Sequence, residues 1–177
     1  ASGWMRISQE EPFVGRTGDV GDELGSRVIA ARLVRDLMLL GFLMERVYAP
    51  YSKWFGTGFS RLACAPTLTP IFHRVFAAES WREREQPLSE AYAILAHMHN
   101  ALGLTAPLPA EVSSFHGRPY QVIHGDVFSA ALVAQITDPA VKTIAQQRLI
   151  GSLDQFSDST DLRENTSLRE KLTTLYT

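Results

Sequence analysis

What the chain has little of narrows it first. One of its 177 residues is cysteine, so Cys64 has no partner for an intrachain disulfide and no companion thiolates for a zinc site, which suits a reducing compartment. Long apolar runs are missing too. The longest apolar-leaning stretch, Asp36 to Val47, is too short and too broken by charge to span a bilayer, and no signal-peptide pattern opens the chain. Charge of one sign is also lacking: seventeen Lys and Arg stand against nineteen Asp and Glu, a net charge of −2. Such a balance supplies no general attraction to nucleic acid or to an anionic membrane. Internal repeats and sustained strand-type alternation are absent. The expectation is a protein of the cytoplasm that has neither a membrane nor a nucleic acid as partner.

What is present can bury a core. Apolar residues make up 45% and aromatic residues 10% of the sequence, enough for one domain of this length. The cations are unevenly placed, because residues 46 to 84 hold six of them against Glu79 and Glu83, a local charge of +4. The opening Ala1-Ser2-Gly3-Trp4 has neither an initiating methionine nor a helix cap and reads as an internal cut of a longer chain.

Residues 1 to 21 contain Gly3, Pro12, Gly15, Gly18 and Gly21. They are expected to form an irregular arm or linker, pinned by Trp4 and Phe13 to a helical domain over 22–177. From Asp22 the pattern turns helical, with Leu33, Leu37, Leu40, Met44 and Val47 at steps of four and three on one face. Further helices are predicted over Tyr51 to Ala63, Pro70 to Ala78 and Pro87 to Leu102, the last stopped by Gly103. A loop follows to residue 119. Beyond it come helices over Tyr120 to Ile136, from the Asp138-Pro139 cap to Ile150, and from a capping box at Ser167 and Glu170 to Tyr176. The fold class is therefore all-α, a single bundle of roughly six to eight helices.

The densest chemistry lies in Arg46-Val47-Tyr48-Ala49-Pro50-Tyr51-Ser52-Lys53-Trp54. Pro50 disfavours helical geometry at the residue before it, so the long helix should break near Ala49 and restart at Tyr51. Arg46 and Lys53 suit a phosphate or carboxylate, while Tyr48, Tyr51 and Trp54 suit stacking on a planar group. The same residues would also make a core corner, with phenols bonded to backbone and cations reaching out. Both readings stay open. Asp154, Asp158 and Asp161 are spaced to share a helix face, where they could form a solvated acidic edge, pair with the basic segment or hold a hard cation.

Other motifs carry less. His124-Gly125-Asp126 matches the catalytic turn of aminoglycoside-phosphotransferase-type kinases, but Val127 to Leu132 lacks their metal-binding Asn and no Gly-rich loop precedes it. His97 and His99 are two apart on a helix and point to different sides. Neither His73 nor His116 has a ligand-spaced neighbour. Cys64 reads as a small buried apolar side chain.

The Arg46–Trp54 stretch, together with Gly151-Ser152-Leu153-Asp154-Gln155-Phe156-Ser157-Asp158-Ser159-Thr160, resembles the family known as domain of unknown function 4037, from about Gly21 to Tyr176. Arg118-Pro119-Tyr120 is similar to that family's approach to its penultimate helical region. The resemblance implies a helical domain that follows a nucleotidyltransferase-like domain upstream in the same polypeptide. It also implies that magnesium and a nucleoside triphosphate would belong to the parent enzyme. Such enzymes need a Gly-Ser at a helix start and paired carboxylates on adjacent strands; here Gly25-Ser26 is followed by a helix with no paired strand carboxylates, so no catalytic, cofactor or metal residue is assigned. The expected ligand-binding residues are Arg46, Tyr48, Tyr51, Lys53, Trp54 and Arg118, with Asp154, Gln155 and Asp158 as acidic-side partners. The expected role is an accessory domain of a nucleotidyltransferase. The alternative is a structural or dimerisation domain with no ligand site, forming a homo-oligomer.

Overall fold

A computed structural model describes residues 1–176. It is mostly α-helical, as the periodicity predicts, with one small two-stranded sheet. In chain order the elements begin with α1 (Ser2–Glu10), α2 (Phe13–Asp19), α3 (Glu23–Met44) and a 3-10 turn at Ser52–Trp54. They continue with α4 (Phe55–Phe59), α5 (Ala65–Ala77), α6 (Trp81–Ala101), β1 (Ser113–Ser114) and a second 3-10 turn at Phe115–Gly117. Next come β2 (Gln121–Val122), α7 (Gly125–Ala134), α8 (Pro139–Ala145), α9 (Leu153–Phe156), α10 (Thr160–Glu164), α11 (Thr166–Lys171) and a 3-10 turn at Leu172–Tyr176.

Helix α3 is the central strut, packed by α1, α2, α5 and α6. Asp22 caps it by accepting the Gly25 N–H at 2.7 Å, and Glu23 faces the positive end of its dipole. Leu33, Leu37 and Leu40 are buried on the face that their spacing predicts. The helix stops before the proline does. Arg46 takes a left-handed backbone (φ 58°), Val47 N–H donates to Phe42 C=O at 2.9 Å and Arg46 N–H to Leu43 C=O at 3.1 Å, a Schellman closure. The break thus falls at Glu45 and Arg46, and Val47 lies beyond the helical stripe.

The expectation of an irregular arm over residues 1–21 is corrected. That segment is α1 and α2, and Trp4, Ile7 and Val14 join the core. Gly15 and Gly18 mark close packing: a Cβ on Gly18 would fall 2.1 Å from the Trp81 ring and one on Gly15 2.4 Å from the Tyr120 ring. Trp4 does pin the segment, stacked on Phe128 at 4.4 Å between centroids, whereas Phe13 lies at the surface.

Helix α5 begins at Ala65 with Pro66 in its first turn, so Pro70 sits inside it rather than starting it. Helix α6 begins at Trp81 because Ser80 and Glu83 form a reciprocal capping box, so the residues before the predicted start at Pro87 are its first turns. Arg84 on that helix is buried, bonded to Ser26 Oγ at 2.8 Å, Glu23 Oε2 at 3.2 Å and Ala78 C=O at 3.1 Å. Residues 120–124 form β2 and a turn, and Gly125 opens α7. A Cβ there would lie 2.5 Å from the Trp4 carbonyl oxygen, so glycine allows α7 to approach α1. Buried Glu11 ties this joint together by accepting the N–H groups of Ile123 at 2.8 Å and Gly125 at 3.2 Å. The predicted cap at Asp138 holds, but α8 ends at Ala145, and Asn165 rather than Ser167 caps the last α-helix.

Candidate functional site

Along one side of α3 runs a groove of about 1050 Å³. Its lining brings together Arg35, Met38 and Leu39 of α3, Tyr48 to Ser52 and Phe55 from the segment after it, and Asp154, Arg163 and Arg169 from the C-terminal part. Chain positions more than a hundred residues apart meet here because the segment after Gly151 returns over α3.

A polar network crosses the groove. Tyr48 OH donates to Asp154 Oδ2 at 2.6 Å, which pushes the phenol pKa up because the neighbouring carboxylate favours the protonated form. Arg163 places Nε 3.2 Å from Asp154 Oδ1 and Nη2 3.1 Å from the Asp154 carbonyl, where it donates a hydrogen bond. The Nε contact is an ion pair without hydrogen-bond alignment, and that buried N–H has no acceptor. Asp158 is shared: it pairs with Arg35 and lies 3.7 Å from Arg163 Nη2. Arg35 in turn sits 5.8 Å above the centre of the Phe55 ring.

The sequence-predicted residues divide. Tyr48 and Tyr51 line the groove together with Asp154. Arg46, Lys53 and Trp54 lie at the surface outside its lining, with Lys53 Nζ 5.2 Å above the Trp54 ring. Arg118 is exposed beside the second 3-10 turn, also outside the lining. Gln155 points to the other side of α9, where its Oε1 accepts from Ser2 Oγ at 3.2 Å and from Ser152 N–H at 2.8 Å. The three aspartates do not share a helix face, because α9 ends at Phe156 and α10 starts at Thr160, leaving Asp158 in the link.

Arg35, Arg163 and Arg169 escaped the sequence reading. Nothing in the local pattern separates Arg35 from Arg32; what singles it out is Asp158, 123 residues away. The His124-Gly125-Asp126 motif is a helix start, with His124 left-handed (φ 57°) and 2.8 Å from Ser113 Oγ, and with Asp126 exposed. His99 is buried between Trp4 Nε1 at 3.3 Å and Thr105 Oγ1 at 3.1 Å, and burial lowers its pKa. Among the described residues no three His, Cys, Asp or Glu side chains gather where they could hold a metal ion. Among the same residues no helix is long and apolar enough to cross a membrane.

The α3 side of the groove and the segment from Tyr48 to Phe55 fall within the part of the chain that a family model matches. The family model described as Domain of unknown function (DUF4037) matches residues 1–55. The DUF4037 stretch includes α1, α2, α3 and the whole Arg46–Trp54 cluster, and it ends at the ring beneath Arg35. It takes in residues 1–20 as well, and it stops short of the second motif at Gly151 to Thr160. No curated protein and no solved structure matches the chain.

Proposed function

We propose that this chain is a helical accessory module of a nucleotidyltransferase-type enzyme, and that the groove along α3 holds the nucleotide or the acceptor. The observation that carries the reading is the presence of Tyr51 and Phe55 in one groove with Arg35, Arg163 and Arg169. Aromatic rings take a planar base and guanidinium groups take phosphate or carboxylate. The volume is of the order of small-molecule sites, about 300–1,000 Å³. The catalytic carboxylates would come from the upstream nucleotidyltransferase-like domain that the resemblance implies. A magnesium ion would arrive with the triphosphate of that parent enzyme, in the cytoplasm. Lys53, Trp54 and Arg46, outside the groove, would face that neighbouring domain rather than the ligand.

The test is calorimetric titration of magnesium–ATP and magnesium–GTP into the protein and two variants. Tyr51→Ala is expected to weaken binding by about tenfold, the scale of one lost base–aromatic stack. Lys53→Ala should leave it nearly unchanged. Heat of binding from none of the three proteins, or a loss confined to Lys53→Ala, would sink the reading.

A structural role is the rival, and one observation favours it: Arg35–Asp158 and Tyr48–Asp154 clasp the C-terminal segment to α3 and to the stretch that follows it. A groove that serves only as a packing seam would bind no nucleotide. If the domain pairs with a second copy, sedimentation would show a dimer that breaks up when the exposed cluster is altered at Trp54.

A further inference from the structure

We infer that the Arg35–Arg163 pair is an anion subsite for a phosphate group, and that Asp158 occupies it as a built-in competitor. The inference rests on the groove being a ligand site, and adds how that site meets its ligand.

Three observations converge on it. Asp158 bridges two guanidinium groups contributed by different parts of the chain, Arg35 of α3 and Arg163 of α10. A single carboxylate with cations on either side mimics a phosphoryl group held by paired arginines. Second, the Arg163 side chain is only 18% exposed, and its Nε–H is buried with no acceptor despite the nearby Asp154. The Asp154 carboxylate at 3.2 Å and the Asp154 carbonyl hold this guanidinium in place, so its Nη2 is presented to Asp158, or to an anion in its stead, already ordered. Third, the charges balance only when Asp158 is counted. The groove lining holds Arg35, Arg163 and Arg169 against Asp154 and Glu164; Asp158 supplies the third anion.

Asp158 is suited to being displaced. Its side chain is 60% exposed and it sits in the link between α9 and α10 rather than in a helix. An ion pair so exposed contributes little to stability. A triphosphate offers several oxygens and more charge than one carboxylate, so exchange at Arg35 favours the ligand while the competitor lowers its apparent affinity. The same competition discriminates against weakly charged anions, which cannot outbid the tethered carboxylate.

The probe is inorganic triphosphate, titrated by calorimetry into wild type, Asp158→Asn and Asp161→Asn, with magnesium–ATP run beside it. Asp158→Asn should bind triphosphate about threefold or more tightly than wild type. Asp161→Asn removes an equal charge nearby and should stay within about 1.5-fold in 0.15 M salt. Adding Arg35→Gln to Asp158→Asn should erase the gain, as a double-mutant cycle requires. Tightening by Asp158→Asn alone, or binding by that variant when wild type shows none, upholds the subsite. Equal tightening by both asparagine variants, or binding of triphosphate and ATP that Asp158→Asn does not alter, overturns the subsite and leaves the groove reading standing. No binding of either probe to any protein overturns both. Circular dichroism checks that each variant folds, and Asp158→Ala serves as a second version of the key change.

Discussion

Glu11 stands buried beneath the turn into α7, and its burial has a measurable cost. Desolvation raises its pKa from 4.5 to about 7, only partly opposed by the backbone N–H groups it accepts. The folded state therefore binds the proton more tightly than the unfolded chain. The contribution of this group to stability is full below pH 4.5 and falls as pH rises toward 7, by about 3 kcal/mol in all. Urea melts of wild type and Glu11→Gln between pH 4.5 and 8 should show the wild type losing ground relative to the variant over that span; parallel curves would refute it. Arg84 poses the opposite case, a charge whose partners are all in place. Arg84→Ala would remove the donor to Ser26 Oγ, which keeps its own bond to the Val14 carbonyl, and to the half-buried Ala78 carbonyl; with the cavity left behind it is expected to cost about 3 kcal/mol, read as a fall in urea midpoint. Arg84→Lys should recover only part, since an ammonium cannot reproduce the fork.

Among the elements, α6 shows a local signal fixing a boundary. Ser80 and Glu83 satisfy each other's backbone donors, and Ser80→Ala should lower stability by about 1 kcal/mol while leaving helix content by circular dichroism almost intact. That box was present in the sequence, yet Pro87 looked like a start because proline is rarely tolerated within a helix. The same bias hid the start of α5 at Ala65. Long periodic elements were legible: the Leu33–Leu37–Leu40 stripe and the Asp138 cap stand where spacing and side-chain chemistry put them. Residues 1–21 were not, because glycine at a close helix contact and glycine in a loop look alike in a sequence. The candidate site was half legible. Tyr48 and Tyr51 advertise themselves by local density, whereas the arginines opposite them acquire meaning only from contacts across the fold.

At the scale of the molecule, the segment after Gly151 is held to α3 by polar contacts at the groove and by Gln155 against Ser2. Aqueous ion pairs and a phenol–carboxylate bond are weaker fasteners than a core. Tyr48→Phe should therefore leave the global melting temperature within about 2 °C, because an exposed bond contributes under 1 kcal/mol. It should nonetheless speed tryptic cleavage after Arg163, followed by mass spectrometry. Unchanged cleavage would mean that Tyr48 does not secure the segment. Local opening of this kind belongs to regions with few buried contacts.

The Schellman closure at the end of α3 carries a last consequence. Glycine adopts a left-handed backbone without strain, while an arginine there costs about 1 kcal/mol. Arg46→Gly should consequently raise the melting temperature by a few degrees. The turn, in other words, asks for no side chain, and the guanidinium that Arg46 holds out to solvent is a choice made against the backbone's own preference. If the variant is more stable yet weaker in the binding or activity proposed for this protein, the worth of Arg46 is measured outside the fold, in whatever this exposed corner touches.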